Sequence, residues 1–146
     1  MRDILFRGKR LDNGKWMYGD YFKHDKVKVC LTTDDSKTQH CIMRDGFCDW
    51  GFEPPREYCV VDPETVGQYT GSIDKNGKQI FEGDIVKGKV HLHGGYRVRK
   101  GVVAYVGFYN AFKLIVGGDE KEIPSPCEVI GNIHDNPELL EVLPNG

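Results

Sequence analysis

The most distinctive chemistry in this 146-residue sequence is a basic, aromatic stretch at residues 85–118. It contains no Asp or Glu and six basic residues: Lys87, Lys89, Arg97, Arg99, Lys100 and Lys113. Five aromatic residues are interleaved with them: Tyr96, Tyr105, Phe108, Tyr109 and Phe112. Basic groups neutralise a phosphate backbone and aromatic rings stack on bases, so the stretch predicts a surface for single-stranded nucleic acid. The candidate contacts are Lys87, Lys89, Arg97, Arg99 and Lys100.

A second interpretation of the same stretch stays open. Aromatic residues are also typical of a β-sheet core, in which case the rings would be buried. Residues 119–146 carry seven acidic residues against one Lys, and this acidic segment could pack over the basic stretch and neutralise it. The two interpretations differ in whether the rings and the cations are exposed.

Other chemistries require spacings that the sequence lacks. No Cys-x2-Cys pair, the usual start of a structural zinc site, occurs among Cys30, Cys41, Cys48, Cys59 and Cys127. His91 and His93 share one face of a predicted strand, but no third ligand is evident near them. The nucleophile-elbow, Walker and dinucleotide motifs are also absent. We therefore expect five reduced thiols, no metal, no cofactor and no enzymatic activity.

The composition indicates a mainly β protein. Hydrophobic residues make up 39% and charged residues 29% of the chain, and its 18 glycines, which have no period, indicate many turns between short strands. The net charge of −2 is too small for an argument about the field of the whole protein. No apolar run is long enough for a signal peptide or a membrane helix, so we expect a cytoplasmic protein that does not insert into membranes.

Turn chemistry recurs in two similar stretches. Asn13-Gly14 and Asn76-Gly77 are each followed by Lys, then by apolar residues and a Gly-Asp corner, the second of which contains Gly83. Asn-Gly is the strongest short signal for a type I′ hairpin turn because both residues tolerate a positive φ. We expect all five residues to set turn geometry.

The distribution of strands predicts two parts. Residues 1–66 form a β-rich part with short helical turns, where Asp62 caps and Pro63 opens one turn. Residues 67–146 contain several short strands, which suit a small closed or half-closed barrel, and end in a short helix at residues 137–143 that is capped by Asn136. Residues 27–32 alternate and predict a further strand, while the fold of residues 22–58 is otherwise not predicted.

Three segments resemble the YopX-like family of phage and prophage proteins. They are Ile4 to Gly19, Asp62 to Val86, and Val129 to Leu140. The resemblance covers nearly the whole chain and implies a phage or prophage origin and a bacterial cytoplasm. It also implies an SH3-like barrel in the C-terminal half, since Glu82-Gly83-Asp84-Ile85-Val86 is similar to the opening of such barrels. It supplies no catalytic residues.

These observations together favour a non-enzymatic accessory protein that acts by binding. The expected partners are a host or phage protein and further copies of the chain, because small barrels present edges that suit docking and oligomerisation. The alternative is nucleic-acid binding through residues 85–118.

Overall fold

A computed structural model describes residues 2–25, 38–46, 51 and 56–141 of the chain. Strands make up 62% and helical residues 6% of it, which confirms the prediction of a mainly β protein. The chain divides into two compact units, residues 3–68 and residues 69–146 with 1–2. The division into parts at residues 1–66 and 67–146 stays a prediction. The strand predicted at residues 27–32 lies outside the described residues, as do Cys30 and Cys48.

The N-terminal unit is an antiparallel sheet with a small apolar core. Its strands are β1 (Phe6–Lys9), β2 (Trp16–Asp25), β3 (Thr38–Asp45), β4 (Arg56–Val60) and the start of β5 (Gly67–Ile73). They pair in the order β4-β3-β2-β1-β5. Met17 of β2, Ile42 of β3 and Val61, which follows β4, form the core, with Phe6 and Tyr21 packed against it.

A single 3₁₀ turn at Pro63–Thr65 confirms the predicted helical turn of this unit. The Asp62 side chain accepts a hydrogen bond from the Glu64 N–H at 3.0 Å, and Pro63 takes the first position, where its missing N–H costs nothing. Thr65 Oγ1 accepts a hydrogen bond from the Lys9 N–H at 2.8 Å. The turn is therefore tied to β1.

The C-terminal unit is built on a five-stranded antiparallel sheet. The unit as a whole contains the rest of β5, β6 (Gln79–Phe81), β7 (Asp84–Leu92), β8 (Gly95–Val106), β9 (Ala111–Val116), β10 (Asp119–Lys121) and β11 (Cys127–Asn132). Five of them pair in the order β10-β9-β8-β7-β11. The core of the unit lies on one face of this sheet and consists of Ile80, Val86, Val90, Val103, Leu114 and Cys127.

The described strands of the C-terminal unit do not close into a barrel. β10 and β11 are the two edges of the five-stranded order and do not pair with each other. The segment between them contains Pro124 and Pro126, and proline has no N–H to donate to a strand ladder. In this part of the chain the sheet stays open, and the SH3-like detail of the prediction is not confirmed.

The turns at the two Asn-Gly pairs are not type I′. Among the described non-glycine residues only Asn110 has a positive φ, so Asn13 and Asn76 do not meet the requirement of that turn. The loops are also longer than two residues, because Arg10 N–H donates to Lys15 O and Asp74 N–H donates to Lys78 O. Within these longer loops the positive φ falls on the glycine alone, at +69° for Gly14 and +81° for Gly77.

The corner before β7 also depends on a left-handed glycine. Gly83 has a φ of +85°, its N–H donates to Val103 O at 2.8 Å, and its carbonyl accepts from Ile133 N–H at 2.9 Å. Asp84 follows and is almost completely buried, and its carboxylate accepts from the Phe81 N–H at 2.8 Å. These bonds fix the point where β7 starts.

The C-terminal helix is one 3₁₀ turn at Pro137–Leu140. The Asn136 side chain does not cap it, which corrects the prediction; instead Asn136 Oδ1 accepts from the Asn132 N–H at 3.4 Å. The reason is local, since the side chain reaches back to the end of β11 rather than forward to the turn. Residues 142 and 143 of the predicted helix lie outside the described residues.

Candidate binding surface

The register of the β7–β8 hairpin separates the five basic candidates between two faces. Lys87 is opposite Lys100, and Lys89 is opposite Val98. Directly opposite residues of an antiparallel pair project from the same face, so Lys87, Lys89 and Lys100 share one face. We call it the lysine face. His91 and Tyr96, the next pair, lie on it as well.

The other face of the hairpin carries the two arginines beside the apolar core. Arg99 is opposite Gly88 and Arg97 is opposite Val90, which is 3% exposed. The Arg97 guanidinium donates to Tyr96 O at 2.9 Å, and that of Arg99 donates to Val98 O at 3.0 Å. The structure therefore brings three of the five predicted residues together and places the other two on the opposite face.

The acidic segment neutralises only a small part of the basic stretch. Lys113 pairs with Glu122 and lies 4.7 Å from the centre of the Tyr109 ring. Glu128 is opposite Lys87 on the lysine face, but its carboxylate pairs with Lys75 at 3.2 Å. Within the described ranges the five candidates form no ion pair with an acidic side chain, and all are exposed: Lys87, Lys89, Arg97, Arg99 and Lys100.

The aromatic residues of the stretch are mostly exposed. Phe112 packs against the core, as the second interpretation requires. Tyr96 is 68% exposed and Phe108 is 87% exposed, and Tyr105 and Tyr109 are about half exposed. Only Tyr96 lies beside the lysines, in an edge-to-face contact with His91 at 5.2 Å between ring centres.

A groove with a volume of about 530 Å³ lies at one side of the lysine face. It is lined by Lys87, Lys89, Tyr96 and Val98 of the β7–β8 hairpin and by Lys75, Glu128 and the Ser125–Pro126 segment. Gly88 also lines the groove, and a Cβ on Gly88 would be 2.5 Å from Pro124 Cγ on the face of the hairpin opposite to the lysines. A larger residue at position 88 would therefore displace Pro124.

The groove borders a stretch of β7 that has a strand on one side only. β8 pairs with β7 from Ile85 to Leu92, whereas β11 pairs with it from Asp84 to Gly88 only. In the described part of the chain no strand pairs with the outer side of residues 89–92. We call residues 89–92 the open β7 edge.

Two hydrogen bonds of β11 define which backbone groups point out of the open β7 edge. Lys75 N–H donates to Cys127 O at 2.9 Å, and Val129 N–H donates to Asp74 Oδ2 at 3.1 Å, so both β11 residues face away from β7. Glu128 between them faces Lys87. Because these directions alternate along an antiparallel strand, the N–H and C=O groups of Lys89 and His91 point outward past the end of β11.

Asp74 holds β11 in this position. Asp74 is 5% exposed, and its carboxylate accepts from the N–H groups of Asn76, Lys78 and Val129. Burial alone raises the pKa of Asp74, but these three backbone hydrogen bonds lower it by more, so the pKa lies below its ordinary value. The negative charge in turn affects Cys127: burial raises the pKa of this thiol, and Asp74 raises it further.

The described residues contain no group of three or more His, Cys, Asp or Glu side chains that could hold a metal ion. β7 ends at Leu92, so His93 falls in the turn and does not share a strand face with His91 as the sequence predicts. Cys41, Cys59 and Cys127 are free thiols. No helix among the described residues is long and apolar enough to cross a membrane.

Sequence reasoning missed Lys75, Glu128 and the backbone of the open β7 edge. The strand pattern of residues 84–92 is readable, but the shorter reach of β11 is not, because it depends on where a segment 39 residues after Gly88 begins to pair. The Asp74 site had a local signal, since Asp two residues before Asn-Gly is typical of side-chain bonding to turn N–H groups.

Comparison with known proteins supports the fold and identifies the family. The structure is similar to the crystal structure of protein EF1440 from Enterococcus faecalis, with a TM-score of 0.50 and 22% sequence identity, over 97% of this chain and 100% of that one. No curated protein matches the chain. The YopX protein family model matches residues 5–141. The chain therefore belongs to the YopX family, as its sequence resemblance predicts.

Proposed function

We propose that this protein is a non-enzymatic binding module that takes an extended segment of a partner protein along the open β7 edge. The observation that carries the proposal is that the two neighbours of β7 pair with different lengths of it. β8 pairs with β7 as far as Leu92, whereas β11 pairs with it only as far as Gly88. An added strand would continue the line of β11. This mode of recognition, in which a peptide extends a sheet, obtains affinity from main-chain hydrogen bonds and specificity from alternate side chains.

The backbone direction supports this mode. Lys89 and His91 turn their N–H and C=O groups toward the open side, as inferred from the bonds of Cys127 and Val129. Each hydrogen bond to an added strand contributes about 0.5–1.5 kcal/mol net. Four such groups would contribute about 2–6 kcal/mol, to which burial of partner side chains in the groove would add.

The chemistry of the groove supports binding rather than catalysis. Its one thiol, Cys127, is buried and has a raised pKa, which opposes formation of the nucleophilic thiolate. The other groove side chains that carry charge are Lys75, Lys87, Lys89 and Glu128, and Lys75 and Glu128 pair with each other. We extend the proposal to a partner from the phage or its bacterial host, in the cytoplasm.

A peptide selection tests the proposed function. A display library of random peptides of about twelve residues is selected on the full-length chain, and the enriched peptides are measured by fluorescence anisotropy. We expect binding that is lost in Lys89→Pro or His91→Pro, because proline removes an outward N–H and is tolerated on edge strands. Arg99→Ala, on the opposite face of the hairpin, is the matched control and should bind normally. Enriched peptides that bind both proline variants unchanged, with circular dichroism showing folded protein, would refute the proposal.

Nucleic-acid binding is the second candidate, and the observation in its favour is the lysine face. Lys87, Lys89 and Lys100 are exposed on it together with Tyr96, a ring on which a base can stack. Under this candidate a single-stranded oligonucleotide binds more weakly at about 200 mM than at about 50 mM salt.

Two matched variants test this candidate. Lys87→Ala/Lys89→Ala/Lys100→Ala removes the charge of the lysine face, and Arg97→Ala/Arg99→Ala removes charge from the opposite face of the same hairpin. Loss of binding in the triple variant alone supports the candidate. Equal losses in both variants indicate only non-specific attraction to a basic hairpin, and absence of binding at low salt eliminates the candidate.

A further inference from the structure

We infer that the partner segment at the open β7 edge alternates acidic and apolar residues. This inference rests on the proposed function and adds the chemistry of the partner. It follows from the different character of the two sheet faces at this edge. Side chains of an added strand would alternate between those faces, as in any β-strand.

One set of partner side chains would lie on the lysine face. The partner residues that bond to Lys89 and His91 project from the same face as these two residues. Lys89 is exposed there and forms no ion pair with an acidic side chain among the described residues, while Lys87 beside it lies opposite Glu128, whose carboxylate pairs with Lys75. Opposite charges in neighbouring strands attract each other, so acidic residues fit these partner positions.

The partner residue opposite Val90 would lie on the other face. Val90 is 3% exposed and belongs to the core, and Leu92 is half-buried against the same core. An apolar side chain at this position would extend the core, whereas a charged one would lose water contact beside it. The partner pattern is therefore acidic, apolar, acidic.

The same charges disfavour the binding of a second copy of this chain at the open β7 edge. Two open β7 edges laid side by side would bring Lys87 and Lys89 of each copy onto one face of a joint sheet. Like charges in neighbouring strands are destabilising, and lysines on an edge are a common defence against edge-to-edge pairing. An acidic partner segment would be attracted to Lys87 and Lys89, whereas a second copy of the chain would be repelled.

Three fluorescein-labelled peptides test the inference on the full-length chain. They have the same length and the same Val at every second position, and they differ at the alternate positions, which are Glu, Ser or Lys. We expect the Glu peptide to bind about tenfold more tightly than the Ser peptide at low salt, and the Lys peptide to bind least. Amide shifts of Lys89 and His91 in nitrogen–proton spectra establish that binding is at the edge.

A charge-reversal pair completes the experiment. Lys89→Glu should lose preference for the Glu peptide and gain affinity for the Lys peptide. Arg99→Glu makes the same charge change on the opposite face and should leave the order of the peptides unchanged.

The outcomes separate the inference from the proposed function. If the Ser or Lys peptide binds at the edge as tightly as the Glu peptide, the inference is overturned and edge binding stands. If no peptide shifts the edge amides, the inference is overturned as well, and the peptide selection with the proline variants then decides whether the edge binds any partner.

Discussion

At the scale of single residues, Asp74 shows how one buried carboxylate organises the surroundings of the groove. It accepts hydrogen bonds from its own turn, at Asn76 and Lys78, and from Val129 of β11, 55 residues away. The first two bonds shape the β5–β6 turn and the third attaches β11 to that turn. A local turn residue thereby helps to set the position of the strand whose end leaves the β7 edge open.

We predict that Asp74 contributes stability that depends on pH. Its folded pKa lies below the ordinary value of an Asp carboxyl group, because burial raises it but three backbone hydrogen bonds lower it by more. A carboxyl group with a lowered folded pKa stabilises the fold above its unfolded pKa, and this contribution is lost as the pH falls through the folded pKa. Asp74→Asn should therefore lower the melting temperature near pH 7 by a few degrees. It should also reduce the difference between the melting temperatures at neutral and at acidic pH.

Thermal melts between about pH 7 and pH 2 measure this effect. The control is Glu120→Gln, an exposed change on β10 that should leave the melting temperature nearly unchanged. If Asp74→Asn retains the full acid sensitivity of the parent chain, Asp74 is not the source of that sensitivity.

At the scale of elements, the β7–β8–β9 meander is the scaffold of both candidate functions. Its long strands are held together by continuous registers, from Ile85 opposite Val102 to Leu92 opposite Gly95, and from Val102 opposite Ile115 to Val106 opposite Ala111. Gly101 lies in the central strand of this meander. A Cβ there would be 2.4 Å from Ile115 O, so the approach of β8 and β9 requires glycine.

We predict that Gly101→Ala separates β8 from β9 locally and costs about 1–3 kcal/mol of unfolding free energy. The obstacle is a backbone carbonyl, which cannot move aside as a flexible side chain can. Urea unfolding followed by far-ultraviolet circular dichroism measures the loss. Gly107→Ala, where no heavy atom lies within 4 Å of the added Cβ, is the matched control and should change stability by less than about 0.5 kcal/mol.

At the scale of the whole molecule, the open β7 edge bears on self-association. An exposed strand edge is the reason to expect a homo-oligomer, and that expectation stays a prediction. Lys87 and Lys89 oppose the pairing of two copies through this edge. An oligomer of this chain would therefore use another surface.

We predict that Lys89→Val increases self-association, because it replaces an edge charge by a β-branched apolar residue. Sedimentation equilibrium at several protein concentrations measures the mass. Lys100→Val makes the same change in the interior strand β8 and should leave the mass unchanged. A parent oligomer that dissociates in Lys89→Pro would contradict this view, since it would show that the copies already pair through the edge.

The sequence by itself determined the mainly β class, the family, the 3₁₀ turn at Pro63 and the presence of turns at both Asn-Gly pairs. These features depend on local composition, on proline and glycine geometry and on continuous motifs. The alternation of β7 and β8 was also readable, because it has a period of two residues.

Only the tertiary structure decided which basic residues act together and where an edge stays open. The register of two strands separates Arg97 and Arg99 from the three lysines, and a shift by one residue would reverse that separation. The open edge depends on β11, whose pairing with β7 ends at Gly88. Such pairings join segments far apart in the chain, and their free energy comes from packing and hydrogen bonds that no local pattern contains.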